Sequence, residues 1–138
     1  MTMILTTSAE PDFLRAVIRG EFSSEEAERT FIEIMDAVTQ HKSDKVLLDG
    51  RDVTGEPTTM QRFYYGEFAA ATVARYSKES RKPGPKFAYV LVEPVLDPAR
   101  FGEVVAVNRG MNIKVFENLA QALGWLKFEP DKPDGNNP

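Results

Sequence analysis

The 138-residue sequence contains no cysteine and a single histidine, His41. The first absence rules out disulfides, thiolate nucleophiles and thiolate-bound metals. The second excludes a His-rich zinc centre and any serine–histidine triad not built on His41 itself. A basic excess is missing too: 17 Lys and Arg stand against 21 Asp and Glu, for a formal net charge of -4. Broad affinity for nucleic acid needs a basic surface to neutralise phosphates, so nucleic acid is not an expected partner. No apolar window approaches the length of a membrane span. The start, MTMILTTSAE, lacks the basic residues and long apolar run of a secretion signal. The cytoplasm is the expected compartment, and neither a metal nor a cofactor is expected.

What remains is the composition of an ordinary folded chain, long enough for one domain with a proper core. That domain is expected over residues 1–128. The tail 129–138, EPDKPDGNNP, lacks apolar residues and is expected to be disordered.

Residues 3–7 and 13–22 read as two strands joined by the Pro11 turn into an antiparallel hairpin. Ser23 and Glu26 form a capping-box pattern, and the helix they open shows Ala27, Phe31, Ile34 and Val38 at spacings of three and four. His41 falls at its end, where a solvated cationic residue suits the helix dipole.

Residues 45–49 (KVLLD) and 87–92 (FAYVLV) are continuous apolar runs, as expected of strands covered on both faces. Between them, Thr58 and Gln61 make a second capping box, opening a helix over 59–77 with Gly66 inside it. A mid-helix glycine costs about 1 kcal/mol against alanine unless close packing or a ligand needs the space. Asp97 followed by Pro98 reads as the N-cap and first position of a third helix, with Phe101, Val104, Val105 and Asn108 as its inner stripe and Gly110 as its stop. Residues 112–116 form a fifth strand, and Asn118 with Gln121 caps a last helix. The expected fold is α/β, with a mostly parallel five-stranded sheet, an N-terminal hairpin, four helices and right-handed crossovers.

This order, and above all VLLDGRDVTGEPTT running into an aromatic helix, resembles the STAS domains of bacterial anti-sigma-factor antagonists, which have the SpoIIAA-like fold. It looks closer still to a subfamily of small SpoIIAA-like proteins that show the runs seen here as DVTGEPTTMQRFYYGEF and DPARFGEVVAVNRGMNIKVFENLAQALGWL. The resemblance covers residues 3–128. It implies a regulatory or protein-interaction module without catalysis, in which Asp49 matches a strand-end aspartate and Thr58 stands where a partner kinase phosphorylates a serine. The sequence departs from that pattern at Pro57, Thr59 and Met60, which replace an acidic residue before the serine and small residues after it. The fold's relation to SEC14-type lipid carriers keeps a lipophilic ligand as the alternative.

The candidate site is the junction from Asp49 to Tyr65. Thr58, Thr59 and Arg62 share the first turn of the central helix, where free N–H groups, hydroxyls and a guanidinium can hold an anion. Their plainer reading is a capped helix with an arginine in solvent. Asp49 and Arg51, with Asp52 and Glu56, supply charge at the strand end; a structural ion pair outweighs acid–base chemistry there, since no nucleophile accompanies them. Phe63, Tyr64, Tyr65 and Phe68 cannot all face one way, because successive helical positions turn by about 100°. They line a pocket, form a subunit interface, or pack. A homodimer, another protein, or a small lipophilic or anionic ligand near Thr58, Arg62 and Tyr65 are the expected partners. The basic segment Lys78–Lys86, which follows Arg75 at the end of that helix, reads as a surface loop rather than a membrane contact, and Trp125 as a packed residue.

Overall fold

The structure, a computed structural model, describes residues 2–128. The tail expected to be disordered lies outside the described residues. Nine elements follow in order: β1 (Ile4–Ala9), β2 (Leu14–Glu21), α1 (Ser24–His41), β3 (Lys45–Thr54), α2 (Thr59–Ser80), β4 (Lys86–Val90), α3 (Phe101–Asn108), β5 (Ile113–Phe116) and α4 (Leu119–Phe128). The strands lie side by side in chain order, β1 antiparallel to β2 and the other pairs parallel. The α/β class, the hairpin and the strand-helix alternation are as expected.

Two apolar clusters show why β3 and β4 read as unbroken runs. Val46, Leu48, Phe87 and Tyr89 join the large cluster with residues of α1, α2 and α3. Their neighbours Leu47, Ala88 and Val90 join a smaller one with Ala122 and Leu126 of α4. Alternate residues of a strand face opposite sides, so a strand with helices on both sides is apolar throughout.

Every residue of the α1 stripe is buried, and Thr30 and Met35 join it. The expected capping box at its start is only half formed. Ser23 Oγ accepts from the Glu26 N–H at 3.2 Å, but the Glu26 carboxylate accepts from the Met3 N–H and from Arg29 instead. Arg29 also donates to the Met3 carbonyl, so the first turns of α1 are tied to the start of the hairpin.

Several boundaries differ from expectation. Helix α2 continues to Ser80, into the segment expected as a surface loop, and β4 runs from a buried Lys86 only to Val90. Two further differences have a local physical reason. Strand β3 runs five residues past Asp49, because beyond an irregularity its residues Asp52, Val53 and Thr54 pair again with β2. One extra residue on β3 opposes β2 there, a bulge that brings Val53 to the same face as Leu48. The third helix begins at Phe101 and not at Pro98. The Asp97 carboxylate accepts from the N–H groups of Ala99 and Phe101, and the Arg100 N–H bonds the Asp97 carbonyl. This local turn competes with the helix, a habit of aspartate side chains. The buried stripe also differs from expectation: Val105 and Ala106 are buried, while Val104 and Asn108 are exposed.

Candidate functional site

Thr58 begins α2 with a complete capping box. Its hydroxyl accepts from the Gln61 N–H at 3.1 Å and its own N–H donates to Gln61 Oε1 at 2.8 Å. Thr58 and Thr59 are exposed, and the first turn carries no acidic side chain, unlike that of α1 with Glu25 and Glu26. Arg62 is not an arginine in solvent. Its guanidinium donates to the carbonyls of Val95 at 2.7 Å and Pro94 at 3.0 Å, fastening α2 to the segment that leads into α3. Both terminal nitrogens are committed to the backbone.

Asp49 and Arg51 stand elsewhere. Asp49 alternates with Leu47 and so projects to the α4 side of the sheet, away from α2. Its carboxylate takes a bidentate pair from Arg51, at 2.9 Å from Nε and 2.7 Å from the terminal nitrogen, and also accepts the Arg51 N–H. The side-chain hydrogen bonds from Arg51 hold the carboxyl below its ordinary pKa, against the opposing effect of burial. The guanidinium is 44% exposed and the carboxylate 11%, so solvent screening keeps the pair near the surface range of about 0–1 kcal/mol. A depressed folded-state pKa contributes stability above the unfolded value, which is lost as pH falls through the folded value. Arg51→Gln is expected to move the Asp49 titration up toward the ordinary value, followed by carbon NMR of its carboxyl. An unchanged midpoint would show that the guanidinium does not set it.

Tyr65 belongs to a third environment. Its hydroxyl lies 2.6 Å from that of Tyr89 on β4, and its ring meets Phe31 edge-on at a centroid distance of 6.2 Å. Burial pushes the Tyr65 hydroxyl up to about 12 and raises that of Tyr89 well above its ordinary value. The pair borders a largely apolar cavity of about 130 Å³ between α1, α2, the 94–106 segment and the sheet, lined also by Leu48, Ala69, Leu96 and Ala106. Tyr89 was hidden to sequence reasoning inside an apolar run, where only its phenol hinted that a polar partner lay across the core. The six candidate residues therefore occupy three places: Thr58, Thr59 and Arg62 at the head of α2, Tyr65 packed against the core one turn on, and Asp49 with Arg51 across the sheet; of these, Arg62 and Tyr65 both border the cavity.

Neither a protein-family model nor a curated protein matches the sequence. Solved structures do match it. An anti-sigma factor antagonist from Mycobacterium paratuberculosis superposes with a TM-score of 0.59 at 16% identity, over 91% of this chain and 95% of that one. An uncharacterised DUF3478-family protein from Shewanella loihica PV-4, with a SpoIIAA-like fold, superposes with a TM-score of 0.53, also at 16% identity, over 91% and 93%. The chain has the SpoIIAA-like fold.

In this SpoIIAA-like frame α2 and α3 each expose large apolar side chains. Met60 is 54% exposed, Tyr64 52% and Val104 47%, and Val107 is exposed beside them on α3. Below them Phe63 stacks on Phe101 at 6.4 Å and meets Tyr64 edge-on at 5.4 Å, while Arg109 lies over the Phe63 ring and pairs with Glu67. The aromatic run thus divides by direction: Tyr65 turns into the core, whereas Phe63 and Tyr64 build the outer strip. Among the described residues no group of three or more His, Asp or Glu could hold a metal ion, and no helix is long and apolar enough to cross a membrane.

Proposed function

We propose that the chain is a non-catalytic regulatory module, working in the cytoplasm, that docks a protein partner on the outer face of α2 and α3. The observation that carries this reading is the exposed strip of Met60, Tyr64, Val104 and Val107 on two adjacent helices. Exposed apolar side chains that include an aromatic, with a charged pair nearby, here Glu67 with Arg109, match the anatomy of an interaction site. The likeness in fold to an anti-sigma factor antagonist supports the regulatory sense. Thr58 and Thr59 stand exposed at the head of the same helix. Phosphorylation of Thr58 would set charge against free N–H groups in a turn with no acidic side chain, where the helix dipole favours an anion. Asp49, Arg51 and Tyr65 lie away from this surface.

The first partner to test is a second copy. Wild-type protein is expected to sediment as a dimer and Tyr64→Asp as a monomer with an unchanged urea midpoint, while Thr58→Glu shifts the association constant without unfolding the chain. A monomeric wild type moves the test to a heterologous partner, with Tyr64→Asp as the control in a pull-down. Association that survives Tyr64→Asp and Met60→Asp together, with either partner, ends the proposal.

A further inference from the structure

We propose that the cavity between α2, the 94–106 segment and the sheet binds a small neutral molecule, apolar over most of its surface and carrying one hydrogen-bond acceptor for the Tyr65–Tyr89 pair. This site lies on the inner side of α2 and is independent of the docking face.

The hydrogen bonds around the cavity single out the tyrosines. Of the other polar side chains that border it, Thr30 donates to the Ala27 carbonyl and Arg62 to those of Pro94 and Val95. Asp97 accepts from the backbone of Ala99 and Phe101, Arg100 donates to the Val115 carbonyl, and Glu103 accepts from the Val115 N–H. Each is held by main chain. Among the described residues the two tyrosine hydroxyls bond only to each other. Two hydroxyls carry two protons, and one bond between them uses one, so the second proton has no acceptor among the described residues; Tyr89 is 5% exposed and Tyr65 partly buried. Native interiors rarely leave such a donor unpaired. Burial keeps both groups protonated at neutral pH, so they present a donor and not an anion.

The same groups define the ligand's charge and size. The two arginines at the rim have guanidinium nitrogens engaged with carbonyls, and Asp97 and Glu103 stand beside them, so a carboxylate or phosphate would find no free cation and two acids. A volume of about 130 Å³ accepts a single ring or a short chain end, in the way that dry apolar cavities take up benzene. The rest of the wall, which includes Leu48, Ala69, Val95, Leu96 and Ala106, offers no further polar side chain.

Three probes of similar shape separate the parts of this inference: acetophenone, which has an acceptor; ethylbenzene, which lacks one; and benzoate, which is charged. Each is titrated into the full chain and followed by NMR of Ala69, Leu96 and Ala106. Acetophenone is expected to shift these residues saturably and to bind about fivefold more tightly than ethylbenzene, the ratio that about 1 kcal/mol of net hydrogen bonding gives. Benzoate is expected to leave them unmoved. In Tyr65→Phe/Tyr89→Phe, the affinity for acetophenone is expected to fall to that of ethylbenzene while ethylbenzene binds as before. If that double variant does not fold, the wild-type ratio alone decides. Equal affinities in wild type, a preference for benzoate, or shifts confined to surface residues would each overturn the proposal.

Discussion

Phe31→Ala is expected to lower the unfolding free energy by about 3–5 kcal/mol, read as a fall in the urea midpoint at unchanged slope. Phe31 is fully buried in α1, its ring 5.7 Å from Phe87 on β4 and 6.2 Å from Tyr65 on α2. It therefore joins two helices and the sheet at one point. Truncation removes the transfer free energy of the ring and leaves a void that three different elements would have to close together. Domains of this size are stable by only about 5–15 kcal/mol, so the variant would be marginal. The neighbouring Ile32, 46% exposed on the same helix, supplies the control: Ile32→Ala is expected to change stability by no more than about 0.5 kcal/mol. A Phe31→Ala cost below about 1 kcal/mol would show that the ring is not the hub its contacts imply.

Phe31 also illustrates what could be read from the chain before its structure. Its place at a three-to-four spacing with Ala27, Ile34 and Val38 marked it as core, and each of these is buried. The continuous runs in β3 and β4 likewise announced two covered faces, since helices pack on both sides of those strands. What escaped was set by pairing between distant residues. The extension of β3 depends on Asp52, Val53 and Thr54 finding β2 again after a bulge, and no periodicity within β3 encodes that. The start of α3 depends on whether the Asp97 carboxylate caps a helix or closes a turn, and sequence spacing favours neither strongly.

The candidate site was less legible than the fold for the same reason. Sequence proximity placed Asp49, Arg51, Thr58, Arg62 and Tyr65 together, but one sheet separates the first two from the last. Arg62 had a plain reading in solvent, and its actual acceptors, the carbonyls of Pro94 and Val95, lie more than thirty residues away. Tyr89 gave the weakest signal, since one phenol in an apolar strand is ordinary until its partner is known. Local chemistry such as the Thr58–Gln61 capping box was recognisable because both partners lie within one turn.

Gly66→Ala is expected to destabilise the protein by about 2 kcal/mol, even though alanine is the better helix former. Two effects oppose each other. The substitution recovers about 1 kcal/mol of helix propensity. Against it, a Cβ on Gly66 would sit 2.8 Å from the Gly102 carbonyl oxygen and 3.2 Å from the Val105 side chain. The first of these neighbours is backbone and cannot rotate away, so relief requires α3 to move as a body. Gly102 faces α2 in turn, a Cβ there lying 3.4 Å from the Arg62 carbonyl oxygen, and the two glycines together set how closely the helices approach. Any outward shift of α3 strains the Arg62 bonds to Pro94 and Val95, which span the same junction, so the steric term outweighs the propensity term. Gly124→Ala on α4 isolates the propensity term, because nothing among the described residues lies within 4 Å of its added Cβ, and that variant is expected to gain up to about 1 kcal/mol. Opposite signs for the two glycines in urea denaturation would establish that helix contact, and not helix propensity, dictates glycine at position 66; the same sign for both would mean that α3 yields at little cost.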